Sequence, residues 1–366
     1  MVSGVFEPVA ERVLITGATG FLGQHLVRRL VGAGARVYAG VAPDEPPERV
    51  AALPVQVHRL TFDMRVAEAV WAAVAEAAPQ VIFHLAAVGA TDPGVDPHLA
   101  LAVNAGGALH LLEAVTKCAR VRQCAPVRGC APVRQCAPVG DTVQRVVLVG
   151  TCYEYGTASE CRRAFRCARA SECGSESEFG PRETVEGLDP FNAYAASKVA
   201  AWAFGRMYWR AHGLPVVTVR PFQVYGPGQP DHTFIPAAIR AALAGVDFPM
   251  TPGGQERDFI YVDDVIDGFL AVAAAPGIDG CSLDLGTGQV HTLRRVVERI
   301  WTMTGAQGRV LPGALPYRPG DVMHLAADAD RTARLTGWRA GVGLDEGLRR
   351  TIEIKGATPH DRDEST

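Results

Sequence analysis

With 366 residues, 48% of them hydrophobic and 20% charged, the chain has globular composition and enough length for one large or two ordinary domains. Its 36 Lys and Arg against 39 Asp and Glu leave a net charge of −3, which gives no electrostatic reason to expect nucleic acid or an anionic membrane as partner. The N-terminus lacks a basic start followed by an apolar run, and no stretch reaches the ~18 apolar residues of a membrane span, so a cytoplasmic protein acting on small molecules is expected.

From Arg12 onward short apolar runs alternate with longer amphipathic ones, the pattern of an α/β fold with a doubly wound parallel sheet. The first strand is expected at Arg12–Thr16, followed by a helix with Leu22, Leu26 and Leu30 at four-residue spacing that Gly32 and Gly34 end. A second strand at Arg36–Val41 and a third at about 56–60 precede a helix over 64–78, a fourth strand at 81–85 and a helix over 97–116. A fifth strand at Arg145–Val149 leads to a long helix over 190–212, with Asp189 as cap, Pro190 in the first turn, and Gly213 and Pro215 as stop signals. A sixth strand falls at 216–220.

Two segments interrupt this order, about 118–140 and 158–180. Seven of the nine cysteines lie in them, at Cys118, Cys124, Cys130 and Cys136 and at Cys161, Cys167 and Cys173, both series stepping by six. The first reads as a tandem hexapeptide whose prolines suit neither a helix interior nor a core strand, and surface insertions are expected. The five-residue gaps are wider than paired metal ligands use, so no metal is expected, and a disulfide framework does not suit a cytosolic protein. After Pro221 the alternation becomes irregular and rich in Gly and Pro. A dinucleotide-binding Rossmann domain over 12–222, a substrate-binding region over 223–355 and a polar, unstructured tail over 356–366 are therefore predicted.

Gly17, Ala18, Thr19, Gly20, Phe21, Leu22 and Gly23 join the first strand to its helix, where backbone N–H groups and the helix dipole favour a pyrophosphate. Gly17 permits the turn, Gly20 lets the backbone approach the phosphates and Gly23 lets the helix pack closely on the sheet. The acid that reads a ribose 2′-hydroxyl at the end of strand two is missing: Val41, Ala42 and Pro43 stand there, with Asp44 late and Arg49 the nearest downstream arginine. NAD and NADP both remain open, with a tilt toward NADP. Further on, Tyr194 and Lys198 are four residues apart on the long helix and share a face. An ammonium there is expected to lower the tyrosine pKa and make Tyr194 a general acid or base.

The chain resembles the NAD-dependent epimerase/dehydratase family of extended short-chain dehydrogenases/reductases, enzymes of nucleotide sugars. The resemblance runs from about Arg12 to Thr351 and rests on the glycine loop, on Phe62-Asp63-Met64, on His84-Leu85-Ala86-Ala87, on Asn104, on Thr151-Cys152-Tyr153-Glu154-Tyr155-Gly156, on Tyr194 and Lys198, and on Arg220-Pro221-Phe222-Gln223-Val224-Tyr225-Gly226. It implies that Asp63 contacts adenine, that Met64, Leu85, Ala86, Ala87, Lys198 and Pro221 line the cofactor, and that Thr151 orients the reacting sugar oxygen beside Tyr194. It also implies that Gln223, Arg257, Arg318 and Asp321 hold the substrate's nucleotide diphosphate, and that the chain forms a homodimer through a helix pair including the Tyr194 helix.

Members that dehydrate the sugar carry an Asp-Glu pair after the Thr151 position. Here Cys152 and Tyr153 occupy it, which argues against a 4,6-dehydratase. Gln223 stands where the family usually has Asn. The Glu154-Tyr155-Gly156 ending resembles the 4-ketoreductases of deoxysugar pathways, so the leading expectation is NAD(P)H-dependent reduction of a nucleotide-linked 4-keto-6-deoxyhexose at C4. A nucleotide-sugar 4-epimerase that retains its NAD is the rival, and a non-catalytic dinucleotide sensor or scaffold the reading from another class.

Overall fold

The computed structural model describes residues 10–92, 94–120, 143–156, 187–318 and 320–357. Its centre is a seven-stranded sheet, all of whose pairings are parallel, built from β1 (Arg12–Thr16), β2 (Arg36–Val41), β3 (His58–Thr61), β4 (Val81–His84), β5 (Arg145–Val149), β6 (Val216–Pro221) and β10 (Ser282–Leu285). The spatial order is β10-β6-β5-β4-β1-β2-β3. The order reverses between β1 and β4, and the carboxyl ends of those two strands open the crevice where doubly wound sheets bind ligands.

Alternate residues of each strand feed opposite cores, as a pleated strand requires. Val13, Ile15, Val37 and Phe83 pack with Leu26 and Leu30 of α1 (Phe21–Gly32) and with Val265 and Phe269 of α8 (Val262–Ala274). Leu14, Ile82, Val146 and Leu148 pack on the other side with Val70 and Val74 of α3 (Ala67–Ala77), Leu111 and Leu112 of α5 (Gly107–Arg120) and Tyr208 of α6 (Ala193–His212), while the short α2 (Pro47–Ala51) lies between β2 and β3 in the chain. Burial on both faces explains why the strands read as continuous apolar runs.

The predicted helix over 97–116 is one rod of three kinds of winding: α4 (Pro97–Ala100), a π-helical stretch over Leu101–Gly106, and α5. By length and composition Pro97–Lys117 is apolar enough to cross a membrane, but half of that window is buried, as a core helix requires. The helix expected over 64–78 starts later, at Ala67, because Asp63 accepts from the backbone N–H of Arg65 at 2.8 Å and holds a turn there. The cap of α6 also differs from expectation. Asn192, not Asp189, accepts from the Ala195 N–H at 2.8 Å, so Pro190 lies before the helix rather than in its first turn. Gly213 ends α6 at φ 64° as predicted.

The expected change of domain near Phe222 does not divide the chain cleanly. Beyond it, β7 (Gln223–Tyr225), β9 (Glu256–Tyr261), β11 (Val290–Thr292) and β13 (His324–Leu325) form a second, smaller sheet around β9. With α7 (Phe234–Ala244), the β8 (Phe248–Met250) and β12 (Val310–Pro312) pair, α9 (Leu293–Thr304), α10 (Ala329–Thr336) and α11 (Leu344–Ala357), it completes the fold. Yet α8 and β10 return to the large sheet, where β10 covers the β6 edge in register Ser282 to Thr218. An exposed edge of a buried parallel sheet is costly, and β10 supplies its cover. Helix α11 runs to Ala357, two residues into the predicted tail; 358–366, most of the first cysteine-containing segment and all of the second lie outside the described residues.

Candidate active site

The glycine loop has the shape its sequence predicts. A Cβ on Gly17 would stand 2.7 Å from the Ala86 backbone N, and one on Gly23 2.2 Å from the Gly17 carbonyl oxygen, so both positions admit only glycine without backbone movement. Gly17 also takes φ 69°. Gly20 caps α1 with no side-chain hydrogen bond, and the first turn carries no acid, which leaves its N–H groups suited to an anion. Thr19 is buried beneath this turn, with Phe21 and Leu22 partly exposed along it. Opposite, Leu85 N donates to the Thr16 carbonyl at 3.1 Å and Ala86 N to Thr16 Oγ1 at 3.3 Å, so the ends of β1 and β4 hold the two cofactor loops against each other. This cradle fits a dinucleotide pyrophosphate.

Asp63 and Met64 follow β3. Met64 is buried and would touch a Cβ on Gly107 at 2.9 Å, which fixes the loop on α5. The Asp63 carboxylate is gripped by Arg65, with Nη2 at 2.6 Å, and this ion pair holds it below the usual carboxylate range. Past the end of β2, Ala42, Pro43 and Asp44 are exposed, and Arg49 is 3.4 Å from Glu45. Arg65 also feels the charge of Asp44, so the arginines here, Arg49 and Arg65, are both paired with carboxylates.

Thr151, Tyr194 and Lys198 are brought together and buried. Thr151 follows β5 in an extended conformation, and its Oγ1 accepts from the Tyr153 N–H at 3.3 Å in a 3₁₀ turn over Cys152–Tyr155. Tyr194, 9% exposed, packs on Val95 and Ala100. Lys198 Nζ donates to the Val149 carbonyl at 2.8 Å and lies 5.8 Å from the centre of the Tyr194 ring. Helix α6 is brought in by Asn104, whose Nδ2 donates to Val88 O at 3.0 Å and Ser197 Oγ at 2.8 Å, while its Oδ1 accepts from Val88 N at 2.9 Å. Asn104 lies in the π-helical stretch, whose extra residue per turn sets this side chain between the loop after β4 and the residue next to Lys198.

The electrostatics correct one expectation. Burial, then the negative charge of Glu154, pushes Tyr194 above its ordinary value, with a hydrogen bond from Thr151 opposing. The net shift is upward despite the nearby Lys198 ammonium; burial brings Lys198 itself down to about 8, against Glu154, which raises it. Tyr194 is therefore held as a phenol, a proton donor. Beside Lys198, His84 is buried and pushed down to about 3, and its Nδ1 lies 2.7 Å from Thr16 Oγ1. Thr16 Oγ1 thus bridges Ala86 N and the imidazole, while His84 Nε2 is buried with no hydrogen-bond partner among the described residues.

On the substrate side, the two departures from the family pattern meet. Tyr153 Oη and the Gln223 amide lie 3.1 Å apart at nearest, so the longer glutamine reaches the residue standing in place of a carboxylate. Cys152 is buried and pushed up to about 12, an inert thiol. Arg257 is 3.4 Å from Asp321, whose other oxygen accepts from Gln255 Nε2 at 2.7 Å. Pro221 is buried at the end of β6, and Phe222 N donates to Leu285 O. Arg318 is not brought to this group: its side chain is exposed, and only its carbonyl joins in, accepting from Asp321 N at 3.0 Å. Two features escaped the sequence reading. Gln255 had no signal, whereas the Thr151-x-x-Glu154 spacing is a capping-box signature that pointed to Glu154, whose Oε1 accepts from Thr151 N at 2.8 Å.

Known proteins are similar to this chain in sequence and fold. The UDP-glucose 4-epimerase of Mycolicibacterium smegmatis is 30% identical over 352 residues, 94% of this chain and 98% of its own length. Among solved structures, the Thermus thermophilus UDP-glucose 4-epimerase complex with NAD superposes with a TM-score of 0.71 at 28% identity, covering 95% of this chain and 100% of that one. MoeE5 in complex with UDP-glucuronic acid and NAD does so with a TM-score of 0.70 at 28% identity and the same coverage. The model of the NAD dependent epimerase/dehydratase family matches residues 13–280, and the chain belongs to that family of NAD-binding, nucleotide-sugar enzymes.

Proposed function

We propose that this chain is a nucleotide-sugar 4-epimerase that keeps NAD through turnover. The observation that carries the reading is the similarity along nearly the whole chain to a UDP-glucose 4-epimerase, around a buried Thr151, Tyr194 and Lys198. The neutral Cys152 and Tyr153 support it, since neither supplies the carboxylates that water loss needs. Tyr194 exchanges a proton with the C4 oxygen, Thr151 orients that oxygen and Lys198 holds the cofactor ribose. When bound, the nicotinamide accepts and returns the hydride. NAD is preferred to NADP because Arg49, the first arginine downstream of β2, and Arg65, which acts on Asp44 beyond that strand, are engaged by Glu45 and Asp63.

Net reduction of a 4-keto-6-deoxyhexose is the second reading, favoured by the phenol form of Tyr194, which suits protonation of a ketone. The resemblance of the Glu154-Tyr155-Gly156 ending to 4-ketoreductases also supports it. Incubation with UDP-glucose, UDP-galactose and a 4-keto-6-deoxy sugar nucleotide separates the two. Interconversion of the first two without net change in nicotinamide absorbance supports the epimerase; stoichiometric oxidation of added NADH or NADPH by the third overturns it in favour of the reductase. The homodimer implied by resemblance would use the apolar side chains that α4, the π-helical stretch and α6 leave exposed, Leu99, Leu101 and Met207, and light scattering on the purified protein tests it.

A further inference from the structure

Glu154 has no exposed surface, and its two carboxylate oxygens are divided between different parts of the fold. Oε1 accepts from the Thr151 N–H at 2.8 Å and Oε2 from Arg220 Nε at 2.7 Å. Gly150 makes the room for this, since a Cβ there would lie 2.2 Å from Oε1. Arg220, 1% exposed, lies over the Tyr155 ring at 5.0 Å and over Trp202 of α6 at 5.8 Å. One acid thus ties the residue after β5, strand β6 and the helix of Tyr194 and Lys198 into a single unit. A buried ion pair is a weak source of stability, because desolvation offsets the attraction, and a neutral acceptor would satisfy the Thr151 N–H equally well. The charge itself needs another role.

We propose that Glu154 is a positioning residue for the hydride-transfer centre, with one oxygen fixing the Thr151 backbone while its buried negative charge acts on Tyr194 and Lys198 together. This assignment rests on the sugar oxidoreduction reading above. The sign is the same for both groups: a fixed anion favours the phenol of Tyr194 and the ammonium of Lys198, so the pair keeps its protons to higher pH. Arg220, bonded to Glu154, partly offsets the carboxylate, and the other groups facing the pair are uncharged across the working range. Cys152 and Tyr153, from the same turn, are both raised by burial, His84 of β4 is lowered to about 3, and Val95 and Ala100 are apolar.

The test is Glu154→Gln, which keeps the size and removes the charge, read as the pH profile of UDP-glucose turnover with NAD. Both limbs should move to lower pH by at least about 0.5 unit. A rate that falls equally at every pH, with the limbs in place, overturns the proposal. Glu154→Asp keeps the charge but withdraws from Thr151, and should lower kcat without moving the limbs. Because Glu154→Gln leaves Arg220 without its carboxylate, Glu154→Gln/Arg220→Gln is made alongside and should show a smaller shift in the same direction, since loss of the Arg220 charge opposes it; limbs left in place in both variants overturn the proposal. A second measurement needs no turnover: the tyrosinate absorbance of Tyr194, taken as the difference between each protein and its Tyr194→Phe counterpart, should appear at lower pH once Glu154 is neutralised. If it does not move, the proposal fails. If it moves in a chain that turns over no nucleotide sugar, the reaction reading fails and the assignment of Glu154 stands.

Discussion

Tyr194 works from a position where water is excluded and an anion is near, so its phenol is a reluctant acid until a substrate oxygen and a cofactor approach. Tyr194→Phe should lower turnover by ~10²–10⁴-fold with NAD affinity unchanged, as measured by steady-state kinetics and calorimetric titration. Tyr153 carries a different expectation, because its hydroxyl meets Gln223 on the substrate side of the centre. Tyr153→Phe removes one such bond, worth about 1 kcal/mol, and should raise KM for UDP-glucose about fivefold with little change in kcat. A fall in kcat at constant KM would place the hydroxyl at the reacting carbon instead. The Tyr194 and Lys198 pair was legible in the sequence because four residues on a helix define one face. The charge acting on it was not, since Glu154 and Arg220 are 66 residues apart and only folding makes them an ion pair.

Helix α6 illustrates what local rules decide at the level of an element. Its alanine-rich start and Gly213 stop are propensity and turn chemistry, and both ends of the prediction come close. Which residue caps it was decided by backbone conformation: Asn192 takes φ −146° and ψ 169°, the extended geometry a capping side chain needs. Asn192→Ala should therefore cost about 1 kcal/mol, seen as a melting temperature lower by about 2 °C. Depth in the sheet constrains the same helix elsewhere. A Cβ on Gly205 would stand 2.7 Å from Leu148 Cδ1, so the glycine that weakens the helix by propensity lets it approach β5 and deliver Lys198 to Val149.

Across the whole molecule, the neutral His84 couples the cofactor crevice to acid stability. Its folded pKa, lowered to about 3 against an ordinary value near ~6.5, means that the unfolded chain takes up a proton which the folded one refuses. Stability from this group is complete above about pH 7 and declines as pH falls toward 3, by about 2 kcal/mol between pH 7 and 5. Chemical denaturation at the two pH values should show that loss, and His84→Asn should flatten it. At this scale the sequence by itself determined the alternation of strands and helices, the glycine loop and the Tyr194 face, because each depends on contacts within a few residues or on a periodicity of 2 or 3.6. Only the tertiary structure decided that β10 closes the β6 edge, that Tyr153 meets Gln223, that the Arg257 side chain meets Asp321 and that Glu154 meets Arg220. Those outcomes depend on which distant segments share a buried volume. No window of sequence contains that information, because burial and the pairing of buried charge exist only once the chain has packed.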